Sequence, residues 1–231
     1  MTELRDRVLS EARREPSLTR DGYRQRARRG AQAAIIATLL VFLAMGGMHT
    51  HGRPAALVLG SAALWGGVAL GATWLGVIRG GAMLGRPPRW LLAVAGLTPV
   101  LLSAGWWVAA SILGLAPDIP DTGGPALSPA SSAFGADATC FGFTLVLAIA
   151  PLIAFLALRP EGDPVSPASS GAALGAAAGA WAGFLMALHC ERADPHHVVL
   201  AHVIPVAVIA LVGALVGRQV LAVRQRLGRR P

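Results

Sequence analysis

The stretch that decides the fold is SGAALGAAAGAWAGFLMALHCERADPHHVVLAH, residues 170–202. Its first twenty residues contain no Asp, Glu, Lys or Arg. As a helix rising about 1.5 Å per residue, they are long enough to cross about 30 Å of hydrocarbon. The polar segment ERADP follows, and a second apolar run begins at the paired histidines. The stretch therefore predicts two membrane-spanning helices joined by a short turn.

The composition of the whole chain indicates the same class of protein. Of its 231 residues, 54% are hydrophobic and 14% are charged, and the mean hydropathy is +0.57. A soluble domain carries about 25% charged residues. Six windows are apolar enough to cross a bilayer, and we place them at residues 31–48, 55–78, 90–115, 139–158, 170–189 and 197–220. The predicted fold class is all-α, a polytopic membrane protein with six transmembrane helices within residues 31–220.

The arginines predict the orientation of this bundle. All 20 basic residues are Arg, and 18 of them lie in the N-terminal tail, in the 79–89 loop, at Arg159 and from Arg218 onward. The opposite side holds only Arg53 and Arg192. Because cytoplasmic segments retain the excess of positive charge, we predict that both termini are cytoplasmic. Residues 1–30 then form a basic cytoplasmic N-tail and residues 221–231 a basic C-tail.

This topology gathers all six histidines and both cysteines at the outer face of the membrane. Cys140 begins the fourth span and Cys190 ends the fifth, so a structural or redox-sensitive disulfide is one prediction and two unconnected thiols are another. A zinc or other transition-metal site is a third, because imidazole and thiolate suit such ions. Its candidate ligands are His189, Cys190, His196, His197 and His202. Interfacial or hydrogen-bonded histidines remain the alternative, since no two histidines stand at i, i+4 on one predicted helix.

A series of small residues runs along the fifth span, at Gly171, Gly175, Gly179 and Gly183. A glycine at every fourth position makes a flat helix stripe that lets a neighbouring backbone approach closely. Gly213 and Gly217 repeat this spacing in the sixth span, and Gly67 and Gly71 repeat it in the second. The stripe predicts packing within the bundle, with homodimerisation as the alternative.

The spans contain no motif for catalysis. The chain has no G-x-S-x-G sequence, no phosphate-binding glycine loop leading to Lys and no acidic pair within a span. We therefore predict no catalytic residues and no enzymatic activity. The lack of charged groups inside the spans also argues against a small metal or solute transporter. That transporter and a structural membrane subunit are kept as alternative functions.

The N-tail combines nine arginines with five acidic residues. Thr2 is suited to cap a short helix, on which Leu4, Val8, Leu9 and Ala12 would form an apolar stripe. One interpretation is a basic anchor that binds anionic lipid head groups of the bilayer. The other is a helix offered to a cytoplasmic protein.

The order of these features resembles the negative regulator of sigma F family, six-span bacterial membrane proteins that act as anti-sigma factors for extracytoplasmic-function sigma factors. The similarity is carried by the Arg-rich tail, by Cys140 in TCFGF, by the glycine series ending in LHC, and by ADPHHVVLAHVIP. It implies a multi-pass protein of the bacterial inner membrane. It also implies that the tail helix binds a cytoplasmic sigma factor, with no direct contact to nucleic acid, and that Cys140 and Cys190 are sensing residues.

Two features depart from the family's pattern. The outer face is unusually rich in histidine, and a long Pro/Ser/Gly loop is expected at residues 116–138. The departure leaves the stimulus open among an envelope signal, a metal and an oxidant.

Overall fold

The computed structural model describes residues 20–49, 55–78, 88–112, 129–158, 166–192 and 194–227. Within these ranges the chain is helical and contains no strand. The helices are α1 (Arg20–Ala44), α2 (Ala55–Thr73), α3 (Pro88–Ile112), α4 (Pro129–Leu158), α5 (Pro167–His189), α6 (Pro195–Val198) and α7 (Ile204–Leu227). A π-helical turn, Trp74–Ile78, continues α2, and a second, Val199–Val203, joins α6 to α7. The predicted tail stripe of Leu4, Val8, Leu9 and Ala12 lies outside the described residues.

Five segments are long and apolar enough to cross a membrane. They are Ala55–Gly76, Pro88–Ala109, Asp137–Leu158, Pro167–His189 and Pro195–Val220. The all-α fold and its membrane-type helices are thus confirmed. The first helix differs, because its apolar part, Gln32–Ala44, is shorter than eighteen residues and the remainder of α1 is Arg-rich. Length and apolarity therefore support five of the six predicted spans.

Helix α5 lies at the centre of the bundle. Of its most apolar window, 78% is buried inside the protein, whereas the corresponding fraction is between 28% and 50% in the other four spans. Alanine and glycine make up most of α5, so α2, α3, α4 and α7 all approach it closely. The other helices direct large apolar side chains outward, among them Ile35, Leu59, Leu101, Ile153 and Leu211. That surface is suited to contact with lipid.

The glycine stripe of α5 packs against other helices of the same chain. A Cβ atom built on Gly171 would lie 2.0 Å from the carbonyl oxygen of Gly213, and one on Gly175 would lie 2.3 Å from that of Ile209. At Gly183 the added atom would fall 1.9 Å from Cζ3 of Trp65 on α2. Backbone and ring thus occupy the space that side chains would need, and the stripe is covered by α7 and Trp65.

Helix α4 begins earlier than the sequence indicated. The predicted loop at 116–138 is wrong for its last part, because the helix starts at Pro129. Proline suits the first position of a helix, where its missing N–H would have no helical partner and its fixed φ is already helical. The extension places Asp137 on α4 three residues before Cys140, so the two share one helix face.

Candidate functional site

Three segments of the chain meet at one end of the bundle. Helix α4 contributes residues three and four positions apart, the C-terminal end of α5 contributes a cysteine, and α6 with its π-helical turn contributes two histidines. The residues that these segments contribute are Asp137, Cys140, Thr144, Cys190, His197 and His202. We call Cys140, Cys190 and His197 the thiol site.

The turn between α5 and α6 determines where His197 lies. Helix α5 ends at His189, and Cys190 follows in an extended conformation while its N–H donates to the carbonyl oxygen of Met186 at 2.7 Å. Asp194 then caps α6, its carboxylate accepting a hydrogen bond of 2.8 Å from the backbone N–H of His197. Pro195 occupies the first helical position, as is common. This capping turn holds the imidazole of His197 over the end of α5.

The thiol site is compact and largely buried. The sulfurs of Cys140 and Cys190 lie 3.8 Å apart and are not bonded to each other. The Cys190 sulfur lies 3.1 Å from Nε2 of His197, and the ligand atoms of the three residues are all within 4.8 Å of one another. His197 is 0% exposed and Cys190 is 6% exposed. Two sulfurs and one imidazole nitrogen thus converge on one point.

A network of charged groups surrounds His197. Its Nδ1 is hydrogen-bonded to the carboxylate of Asp137, and Arg192 approaches that carboxylate at 3.2 Å. Arg192 also contacts Asp194 at 3.1 Å. Because a carboxylate on Nδ1 favours a proton at that nitrogen, Nε2 of the neutral ring presents its lone pair toward Cys190, and Nε2 of the protonated ring donates a hydrogen bond to the Cys190 sulfur. We infer this tautomer from the hydrogen-bond partners.

The π-helical turn positions a second histidine beside the thiol site. The ring of His202 packs edge-on against that of His197, with centroids 5.1 Å apart. Its Nδ1 lies 3.4 Å from the hydroxyl of Thr144. That hydroxyl donates to the carbonyl oxygen of Cys140 at 2.8 Å and lies 3.0 Å from the carbonyl oxygen of Ala201. Single π-helical turns are frequent at functional sites, and this one joins the last span to α4 next to the cysteines.

The surroundings of Cys190 favour its thiolate. A hydrogen bond from the Cys140 thiol, and further ones from the rings of His197 and His202, lower the pKa of Cys190, although burial acts in the opposite direction. A thiolate is both the nucleophilic form of cysteine and its metal-binding form. The site is therefore chemically suited to oxidation and to binding of a soft metal ion.

A separate histidine pair lies close to the thiol site and ties α1 to α5. Gly46 and Gly47, with φ of 106° and 69°, turn the chain after α1 in a conformation that favours glycine. His189 Nδ1 donates to the carbonyl oxygen of Gly47 at 2.7 Å and lies 3.1 Å from Nδ1 of His49. The backbone N–H of His49 donates to the carbonyl oxygen of Leu188 at 3.1 Å. The C-terminal end of α1 is thus fastened to the end of α5.

The structure divides the predicted metal ligands into three groups. Cys190 and His197 lie together with Cys140, and His202 packs beside them. His189 is instead paired with His49, and His196 is exposed. Sequence reasoning missed Asp137, because that residue was assigned to a loop. Its spacing of three residues from Cys140 would have revealed it had the helix been extended toward Pro129. A sensing or metal-binding role for these residues remains a proposal.

Mild oxidation is expected to join Cys140 and Cys190 in a disulfide within one chain. Their sulfurs need to approach by only about 1.8 Å to reach the bonding distance of about 2.05 Å. The measurement is the mass of the linked, non-reduced peptide pair after treatment of the membrane-embedded protein with diamide. The Cys140→Ser variant is the control and should lack this pair. Links found only between separate chains would contradict the geometry.

The amino-acid sequence is similar to one known protein family over most of its length. Comparison with curated proteins and with solved structures finds no match. Residues 12–222 match the profile of a family described as negative regulator of sigma F, and this match includes every helix that contributes to the thiol site. Because the match covers most of the chain, the protein belongs to the negative regulator of sigma F family.

Proposed function

We propose that this protein is an integral membrane anti-sigma factor. It holds an extracytoplasmic-function sigma factor on its N-terminal tail and releases it when an envelope, metal or redox signal acts on the thiol site. The observation that carries the proposal is the family match over residues 12–222, since a negative regulator of a sigma factor needs that factor as its partner. The family also suggests a non-enzymatic role.

The proposal includes a topology of six spans in the bacterial inner membrane, with both termini in the cytoplasm. Helix α1 is then the first span. Its large side chains Ile36, Leu40 and Leu43 are each about 60% exposed, as on a lipid-facing helix. Its apolar part, Gln32–Ala44, reaches about 20 Å of the hydrocarbon thickness of about 30 Å, and under the proposal the Arg-rich part before it lies at the cytoplasmic side. The distribution of arginines supports the cytoplasmic side for both tails.

A direct structural connection leads from the thiol site to the tail. Helix α4 carries Cys140 and packs along α1. Phe42 of α1, Leu147 of α4 and Cys190 belong to one buried cluster, against which Cys140 also packs. Because α1 continues toward the N-terminal tail, a shift of α4 at the site displaces the helix from which the tail extends.

The histidine pair supplies a second connection to the same helix. The hydrogen bonds of His49 and His189 hold the outer end of α1 against the end of α5, next to Cys190. Signal transfer requires two arrangements of the bundle that differ in how they present the tail, and a ligand or oxidant that favours one of them. Under the proposal, a change at the thiol site acts through these two connections and shifts the equilibrium of α1 from one arrangement to the other.

Co-purification tests the proposed function. The intact protein, tagged at its C-terminus and extracted in mild detergent, is expected to retain a sigma factor that mass spectrometry identifies. The variant lacking residues 2–28, and with them the first nine residues of α1, should lose it while the remaining bundle stays helical and free of aggregation. If neither form retains a sigma factor although both are folded, the proposal is wrong. Uptake of metal through the outer face would then be examined in vesicles.

A further inference from the structure

We infer that His49, His189 and the carbonyl oxygen of Gly47 bind a divalent cation of the copper and nickel type at the C-terminal end of α1. We call these three residues the histidine site. It shares no donor atom with the thiol site and contains no sulfur. The binding is a property of the histidine site alone, whereas the effect of the bound cation on a sigma factor rests on the proposed function.

The donor atoms of the histidine site have the spacing of ligands on one metal ion. Nδ1 of His189 lies 3.1 Å from Nδ1 of His49 and 2.7 Å from the carbonyl oxygen of Gly47. Two donors that are each bonded to a metal at about 2.0 Å lie about 2.8 Å apart at a right angle and about 3.3 Å apart at the tetrahedral angle. An ion bonded to His189 therefore reaches each of the other two donors with little movement.

The backbone holds these donors in place. Gly46 and Gly47, with φ of 106° and 69°, turn the chain after α1 so that the Gly47 carbonyl meets His189. The N–H of His49 donates to the carbonyl oxygen of Leu188 at 3.1 Å. A Cβ on Gly46 would lie 2.9 Å from Cε1 of His49, so the glycine also leaves room for that ring. The donors are thus positioned before any ion binds, which reduces the ordering that binding requires.

The surroundings of the two rings suit an accessible metal site. Phe42 and Phe143 pack edge-on against the ring of His189, with centroids 6.2 and 6.4 Å away, and the ring of His49 stands at 82° to it. Both histidines are only partly buried. An ion can therefore reach them from solvent, and water molecules can complete its coordination.

Binding requires a change of tautomer but no net loss of a proton from a neutral ring. When the proton of each neutral ring lies on Nε2, both Nδ1 lone pairs face the ion. Nδ1 of His189 then gives up its hydrogen bond to the Gly47 carbonyl, and that oxygen becomes available to the ion. Coordination bonds thus replace the hydrogen bonds between the same three groups.

The donor set determines the class of cation. Imidazole nitrogens combined with oxygen in a tetragonal arrangement suit divalent copper and nickel, and copper binds most tightly among the divalent ions of the first transition row. Magnesium and calcium require several oxygen ligands instead. The histidine site is therefore expected to take copper first and nickel more weakly.

A cation at the histidine site would join α1 to α5 more firmly than the hydrogen bonds do. Gly47 and His49 follow α1, and His189 is the last residue of α5. Under the proposed function, release of the sigma factor requires α1 to move. A bound cation would then hold α1 in the arrangement that the structure shows and would oppose release.

A copper titration followed by electron paramagnetic resonance tests the binding. The full-length protein carries a tag without histidine, lies in lipid nanodiscs and has Cys140 and Cys190 joined by diamide, so that no thiol reduces or binds the copper. We expect one equivalent of Cu²⁺ to give a tetragonal spectrum with splitting from coordinated nitrogen, and excess Ni²⁺ to displace it. The Cys140→Ser/Cys190→Ser protein is a second background and should give the same spectrum. Absence of nitrogen splitting in both backgrounds would overturn the histidine site.

Two variants test the assigned ligands, and a third is the matched control. His49→Gln and His189→Gln should each weaken copper binding by more than the about 10–100-fold that loss of a partner outside the coordination sphere costs. His196→Gln alters an exposed histidine and should bind like the unchanged protein. Circular dichroism checks that each variant is folded. If His189→Gln does not fold, His49→Gln decides the result, because it alters a partly exposed residue beyond the end of α1. Unchanged spectrum and affinity in a folded His49→Gln or His189→Gln protein would show that the ligand set is wrong.

A transcription reporter separates the histidine site from its effect on release. In cells treated with diamide, added nickel should lower transcription from the sigma factor's promoters with the intact protein and with His196→Gln, but not with His49→Gln. Binding in vitro without any effect of nickel in cells would overturn the effect on release and leave the site intact. Absence of a sigma factor from the co-purification would overturn the proposed function and leave the copper spectrum unaffected.

Discussion

Replacing Gly175 with alanine is expected to separate α5 from α7 and to destabilise the folded bundle by about 3 kcal/mol or more. The new Cβ would lie 2.3 Å from the carbonyl oxygen of Ile209 and 2.8 Å from the Cα of Ala210. Both are backbone atoms, so no side-chain rotation relieves the overlap. The measurement is the fraction of folded protein, followed by circular dichroism, as SDS is increased in mixed micelles.

Gly67→Ala is the matched control for this prediction. Gly67 also belongs to a pair of glycines at a spacing of four, with Gly71, on α2. A Cβ on Gly67 would meet no described atom within 4 Å, so this variant should unfold at nearly the same SDS fraction as the unchanged protein. Equal stability of the Gly175 and Gly67 variants would show that α5 and α7 do not pack as closely as the structure has them. Two glycines with the same spacing are thus distinguished by the same substitution: the one packed against a neighbouring helix loses stability, and the exposed one does not.

Changing Leu4, Val8 and Leu9 to serine is expected to raise transcription from the sigma factor's promoters to the level of cells that lack the protein. Under the proposed function, the apolar stripe on the tail contacts the sigma factor, because an apolar helix face is the usual means by which a short helix binds a groove. The three serines remove that face and leave every arginine of the tail in place. The measurement is a promoter–reporter assay in cells that contain equal amounts of each membrane-inserted variant.

The control for this prediction separates protein binding from lipid binding. Arg13→Gln with Arg14→Gln weakens attraction to anionic lipid by about 1 kcal/mol per residue and keeps the apolar stripe. If the tail binds a sigma factor through the stripe, this variant should still repress. Loss of repression in the arginine variant together with full repression in the serine variant would contradict the stripe as the contact. A basic lipid anchor would then explain the tail.

The membrane-spanning segments could be predicted from the sequence because each depends only on the length and hydrophobicity of one continuous stretch of residues. An uncharged run of sufficient length must place its backbone hydrogen bonds within a helix when it lies in hydrocarbon. The windows predicted at 55–78, 90–115, 139–158, 170–189 and 197–220 each correspond to an apolar helical segment. The first window, at 31–48, was less well defined because α1 joins an apolar half to an Arg-rich half within one continuous helix.

The thiol site could be anticipated only in part. The residue types and the predicted topology placed Cys140, Cys190 and all six histidines at one face of the membrane, and His197 was among the candidates. Asp137 was missed because the Pro/Ser/Gly composition before it indicated a loop, whereas Pro129 begins a helix. Which histidine would approach the cysteines was also open, because neighbours in sequence point in different directions on a helix. His197 is buried at the site, while His196 is exposed.

By itself, the sequence determined the helical membrane-type fold, the close-packing stripe on α5 and the collection of cysteines and histidines near one end of the bundle. These follow from hydrophobicity, side-chain size and charge, which act locally along the chain. The tertiary structure alone decided that the stripe is covered by α7 and Trp65. It also decided that Asp137, Cys140, Cys190 and His197 form one cluster. These residues come from α4, from the position after α5 and from α6, so their distances depend on how these separate parts of the bundle pack together.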